Sequence, residues 1–126
     1  MVAILVVSHS RKLAEGVSEL VGQIASTDAI RAVGGTEDGR LGTSADSVQG
    51  ALEDLSSADG VVIIPDLGSA VLTVRTVLDE HPRDQVVLVD APFVEGAVAA
   101  AVTAASGASL EEVTRAAREA RDVPKL

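Results

Sequence analysis

Four short runs of apolar, largely β-branched residues, Val2–Val7, Ile30–Val33, Gly60–Ile64 and Val86–Val89, alternate along this chain with longer stretches in which apolar residues return every three or four positions. A strand with no polar alternation is buried on both faces, and parallel neighbours need long crossovers that helices supply. The pattern therefore predicts an α/β fold: a single open, mainly parallel sheet with helices on both faces. The first helix is expected over Arg11–Ala25, where Leu13, Val17, Leu20, Val21 and Ile24 recur at helical spacing behind Ser10 as N-cap. A second runs through Val48, Ala51, Leu52 and Leu55. A third is expected from Ser69, as its cap, to about Glu80, where His81-Pro82 stops it. Ala91-Pro92-Phe93 leads into an Ala/Val helix ending near Ser106-Gly107. Ser109 with Glu112 forms a capping box for a last helix that turns Leu110, Val113 and Ala117 inward. Residues 1–121 are expected to form one domain, and 122–126 a loose tail.

Composition narrows what such a sheet can do. At 126 residues and 47% hydrophobic, the chain has material for a real core, but with one Phe and no Tyr or Trp that core must be aliphatic and its helices closely packed. A formal net charge of −9 and the single phenylalanine as the only Phe, Tyr or Trp argue against nucleic acid as a partner. The apolar stretch 86–105 is broken by Asp90, Pro92, Glu95 and Gly96, so no membrane span is expected. Met1–Val7 has no basic leader ahead of its apolar run, and the cytoplasm is the expected location. Without cysteine there is no disulfide scaffold, thiol nucleophile or thiolate metal site.

In an open parallel sheet the ligand-binding rim lies beyond the carboxyl ends of the strands. The first strand delivers Ser8-His9-Ser10 there, the second Gly34-Gly35 and then Gly42-Thr43-Ser44, the third Asp66 with Gly68-Ser69, and the fourth Asp90. An imidazole, a carboxylate, hydroxyls and helix starts on one rim suit phosphate carried on histidine. A carboxylate that accepts one ring N–H fixes the tautomer and supports the positive charge that develops as the other nitrogen attacks, and Asp66 is the candidate for that role beside His9. Ser10, Thr43, Ser44, Gly68 and Ser69 lie where helix N-termini can present donors to phosphoryl oxygens.

Each of these residues also has a plainer explanation. A histidine at a strand end can be a structural hydrogen-bonding residue, Asp66 a helix-turn residue, and Gly34, Gly35, Gly39 and Gly68 simple turn formers. His81, among Asp79, Glu80 and Arg83 at a helix end, is read as solvated and given no role. Arg11 and Lys12 are read as a solvated helix face. Nucleotide binding through a G-x-G-x-x-G or Walker turn, a magnesium-dependent phospho-aspartate site and a serine-hydrolase elbow all lack their residues here.

Taken in order, Val6-Val7-Ser8-His9-Ser10, Gly34-Gly35 with Gly39 and Gly42-Thr43-Ser44, Asp66-Leu67-Gly68-Ser69-Ala70, Pro92-Phe93-Val94-Glu95-Gly96-Ala97 and Ala105-Ser106-Gly107-Ala108 resemble the DhaM family, the phosphotransferase-system subunits of dihydroxyacetone kinase, whose domain is similar to mannose-type enzyme IIA components. The resemblance spans nearly the whole chain. It implies that HPr donates phosphate to the histidine matching His9, that Asp66 matches the carboxylate supporting it, and that phosphate passes to ADP bound on DhaL, with DhaK served indirectly by the resulting ATP. It also implies a homodimer with no metal and no cofactor of its own. A sugar-transport enzyme IIA that hands phosphate to a IIB domain, and a regulatory module sensing phosphorylation, use the same histidine chemistry and stay open. Pro65, directly before Asp66, departs from the family pattern and could alter the carboxylate's aim.

Overall fold

A computed structural model describes residues 1–27 and 29–126. The elements are β1 (Val2–Ser8), α1 (Arg11–Ala25), β2 (Ile30–Gly34), α2 (Ala45–Asp54), β3 (Gly60–Pro65), α3 (Gly68–Glu80), β4 (Val86–Leu88), α4 (Phe93–Ala105) and α5 (Leu110–Glu119), followed by a short 3-10 turn at Ala120–Asp122. The strands form one parallel sheet in the order β2-β1-β3-β4. The expected open α/β architecture is therefore present. Because the chain leaves β1 toward one edge and β3 toward the other, the two connections diverge and open a crevice at the carboxyl ends of these central strands.

Strand β1 is buried along its whole length. Its side chains alternate between two cores: Val2, Ile4 and Val6 join the layer built with α1, α4 and α5, while Ala3, Leu5 and Val7 join the one built with α2 and α3. That double burial is why the run is continuously apolar. The aliphatic core does bring backbones close. At Gly96 on α4 a Cβ would stand 2.9 Å from the Ala91 Cβ and 3.4 Å from the Ala117 carbonyl oxygen. Among the described residues no helix is long and apolar enough to cross a membrane.

Two local details differ from expectation. On α1 the buried stripe is Ala14, Val17 and Val21, and Leu13, Leu20 and Ile24 remain exposed. The latter sit about a quarter-turn round the helix at 100° per residue, so small residues face the sheet and large ones flank it. On α3 the cap position is Leu67, not Ser69, and no side chain caps it. The Asp66 carboxylate accepts the Leu67 N–H at 2.7 Å, which starts the helix early and leaves the Ser69 hydroxyl free for another partner. The Ser10 cap and the Ser109/Glu112 capping box form as expected.

Gly34 closes β2 directly under the start of α1. A Cβ there would lie 2.5 Å from the Ser10 carbonyl oxygen and 2.8 Å from the Arg11 Cα, both rigid backbone. Gly34→Ala is therefore expected to destabilise the fold by about 1–3 kcal/mol through overpacking. Gly50→Ala, where nothing lies within 4 Å on α2, should be neutral or stabilising. Urea midpoints of the two variants measure the difference, and equal midpoints would contradict the close approach.

Candidate active site

The β1–β3 register pairs Val7 with Pro65, so the residues that follow on each strand leave the sheet side by side. The Asp66 N–H donates to the Val7 carbonyl at 3.0 Å and carries the ladder one step past the proline. Pro65 has no N–H to give but sits at the strand end, and the carboxylate still meets the imidazole. Asp66 Oδ2 accepts the Ser8 hydroxyl at 2.7 Å and the His9 backbone N–H at 3.1 Å. Oδ1 lies 3.1 Å from His9 Nδ1 and also takes the Leu67 N–H. Burial pushes the Asp66 carboxyl up, but the hydrogen bonds from the Ser8 hydroxyl, the His9 N–H, the His9 ring and the Leu67 N–H outweigh it and hold the group below its ordinary value.

An ionised carboxylate only accepts, which assigns the proton to His9 Nδ1. The lone pair is then on Nε2, which faces the Ser69 hydroxyl. The imidazole is 25% exposed and the Asp66 side chain 9% exposed, so the ring reaches the surface while its carboxylate stays behind it. The chemical capacity of this arrangement is nucleophilic: one nitrogen held and charge-supported, the other outward with an electron pair.

The remaining sequence-predicted residues are placed unequally. Ser10 is fixed as the α1 cap, its hydroxyl accepting the Leu13 N–H at 3.2 Å. Ser44 caps α2 by accepting the Ser47 N–H at 3.2 Å. The loop ahead of Ser44 folds over β1, because the Gly42 N–H donates to the His9 carbonyl at 3.0 Å and Gly35 bridges to Thr43. Thr43 Oγ1 is shut off from solvent without a partner among the described residues. Gly68 opens α3 with no neighbouring atom where a side chain would begin. Asp90 is turned away to Arg121, with Oδ1 at 3.1 Å from the guanidinium. His81 caps the far end of α3, roughly 18 Å from Ser69 at 1.5 Å per residue.

The residue given no role from sequence is Ser8. Its hydroxyl is fully buried, and the one available signal was a polar residue ending an otherwise apolar strand. Three exposed leucines neighbour residues that contact His9: Leu41 precedes Gly42, Leu67 follows Asp66, and Leu72 lies one turn along α3 from Ser69.

The family model of the EIIA-man domain, described as PTS system fructose IIA component, matches residues 3–114. A phosphoryl donor subunit DhaM of PEP-dependent dihydroxyacetone kinase 1 from Listeria innocua is 43% identical over 78% of this chain and 77% of its own. The DhaM phosphoryl donor subunit from Escherichia coli is 41% identical over 90% of this chain, which spans only 25% of that longer protein. A crystal structure of a protein of unknown function, EF1359, superposes with a TM-score of 0.84 at 35% identity, covering 94% of this chain and 93% of that one. The chain thus belongs to the mannose-type enzyme IIA family, and within it to the group of DhaM phosphoryl donor subunits.

Proposed function

We propose that this chain is the phosphoryl carrier of a phosphoenolpyruvate-dependent dihydroxyacetone kinase, taking phosphate from phospho-HPr on His9 and giving it to ADP bound on a DhaL subunit. The observation that carries this is the pairing of Nδ1 with Asp66, which leaves Nε2 as the outward nucleophile. In the uptake step an Nε2–phosphorus bond forms while the bond from phosphorus to the donor's ring nitrogen breaks, the electron pair leaving with the donor. The Nδ1 proton stays in place, and the ring's positive charge is met by Asp66. Ser69 then turns its hydroxyl from Nε2 to a phosphoryl oxygen. Ser10, Ser44 and the Gly68 turn, at the starts of α1, α2 and α3, supply further donors. Discharge to ADP is the same step with the roles of donor and acceptor exchanged.

The chain works without a cofactor or metal of its own, in the cytoplasm, and the ATP made on DhaL phosphorylates dihydroxyacetone held on DhaK. A shallow, partly exposed histidine with Leu41, Leu67 and Leu72 beside the residues that contact it favours docking by protein faces over capture of a free small molecule. The test is reconstitution. With enzyme I, HPr and labelled phosphoenolpyruvate the chain should take up phosphate, and DhaL with ADP should remove it. Discharge by a IIB protein and not by DhaL would place the chain in sugar transport instead.

The working unit is a homodimer, and the support for it lies on one face. Helices α1 and α4 pack side by side on the same side of the sheet, where Leu13, Leu20, Ile24, Val94 and Val102 are each 38–52% exposed. Copies that each carry −9 repel on average, and a face of uncharged side chains keeps that repulsion low on contact. In α4 the single charged residue is Glu95, and it is tied to Lys125 at 2.9 Å. Leu20→Glu together with Ile24→Glu should halve the mass seen by sedimentation. A wild-type chain that sediments as a monomer would remove the dimer from the proposal.

A further inference from the structure

The structure assigns Ser8 as a positioning residue: its buried hydroxyl sets both the aim and the ionisation of Asp66, and through Asp66 the nucleophilic state of His9. This rests on the proposed role of His9 for its kinetic part only.

A serine hydroxyl has one proton to donate and two lone pairs to accept with. Ser8 uses the proton on Asp66 Oδ2 at 2.7 Å and accepts the Ser10 N–H at 2.9 Å. One atom therefore ties the end of β1 to the carboxylate and to the first turn of α1. Strand parity explains how it gets there: even-numbered side chains of β1 point to the α1 side of the sheet, and Ser8 is the next even position after Val6. With no exposed surface at Ser8, water does not compete for either bond.

Asp66 offers about four lone-pair sites on two oxygens. They meet Ser8 Oγ and the His9 N–H on Oδ2, and His9 Nδ1 and the Leu67 N–H on Oδ1. The set is saturated, and rotation of the carboxylate breaks several bonds together. Two of the four donors are backbone and one is the imidazole being oriented. Ser8 is the remaining donor, and the one that a side-chain substitution removes without altering the backbone or the nucleophile. Without it, Oδ2 keeps one donor in a dry setting, so burial raises the carboxyl's pKa with less to oppose it. Near neutral pH the carboxylate stays ionised and the loss acts on its aim, because fewer bonds then hold Oδ1 on His9 Nδ1; in acid, a protonated Asp66 cannot support the charge on phosphorylated His9.

The test uses the whole chain with Ser8→Ala and Ser8→Thr. Carbon-detected NMR titration of Asp66 should show Ser8→Ala raised by about one pKa unit relative to wild type, the scale of a lost hydrogen bond to a charged group. Nitrogen spectra at neutral pH should show the Nδ1–H tautomer of His9 less populated in the same variant. Single-turnover uptake from phospho-HPr should slow about tenfold, with its acid limb moved to higher pH. Ser8→Thr, which keeps the hydroxyl and suits a strand, should restore all three. Unshifted Asp66 titration and an unchanged His9 tautomer in folded Ser8→Ala overturn the assignment. So does loss of uptake in Ser8→Thr to the level of Ser8→Ala. If wild type takes up no phosphate yet the NMR shifts appear, the carrier function fails and the positioning role stands.

Discussion

Replacing His9 with alanine is expected to abolish phosphate uptake from phospho-HPr completely, while His81→Ala takes up phosphate at the wild-type rate. Chemistry and position make the difference absolute. His9 has Nδ1 occupied by Asp66 and Nε2 at the rim, whereas His81 ends α3 with its backbone N–H on Val77 and stands roughly a helix length away. No cysteine exists to take the phosphate in its place. The bond formed should behave as a phosphoramidate, lost in acid and kept in alkali, which separates it from a phosphoserine on Ser10 or Ser69. Circular dichroism melts of the two variants show whether the fold survives, as it should, since the imidazole packs at the surface and not in either core. Label retained by His9→Ala would sink the assignment of the site.

Which parts of this were legible beforehand follows from how far each signal reaches along the chain. The strands announced themselves because β1 and β3 are buried on both faces, and double burial writes itself as a continuous apolar run. Their ends did not. β2 extends to Gly34 and β3 to Pro65 because β1 offers Ser8 and Val7 as partners, and pairing between distant residues has no local trace. The same limit applied on α1. Helical spacing selected Leu13, Leu20 and Ile24 along with Val17 and Val21, but only the sheet decides which flank it covers, and it covers the one holding Ala14.

The site was half legible for a related reason. His9 and Asp66 were visible as polar residues at strand ends, where such folds place their ligands. That the two meet depends on β1 and β3 being neighbours, and nothing in four similar apolar runs dictates the order β2-β1-β3-β4. Ser69 was read as a helix cap because serine before an apolar run is the usual cap. Asp66 had already taken the Leu67 N–H, and the hydroxyl went to the imidazole. Ser8 carried the least signal of all, since its importance comes from the inward parity of one strand and a carboxylate far along the chain.

Asp66→Asn is the second large effect, with uptake slowed at least about tenfold in a folded protein. An amide matches the carboxylate's shape but not its bonding. If the amide oxygen takes the Oδ1 place, its NH2 group confronts the Ser8 hydroxyl and the His9 N–H, both donors in the native site. If it is flipped, the NH2 group faces Nδ1 and the Leu67 N–H, and the imidazole must move its proton to Nε2, closing the nucleophile. Neither orientation supplies negative charge to the phosphorylated ring. Quenched-flow uptake from phospho-HPr measures the rate, and wild-type kinetics would end the orienting role. Stability gives an independent reading with a defined sign. A carboxyl whose folded pKa lies below its ordinary value contributes stability that is fully present above the unfolded pKa, about 3.9, and is lost as pH falls through the folded value. The gap in urea midpoint between wild type and Asp66→Asn should therefore narrow as pH falls below about 4. A gap that widens in acid would mean that Asp66 is not held as an anion by its four donors.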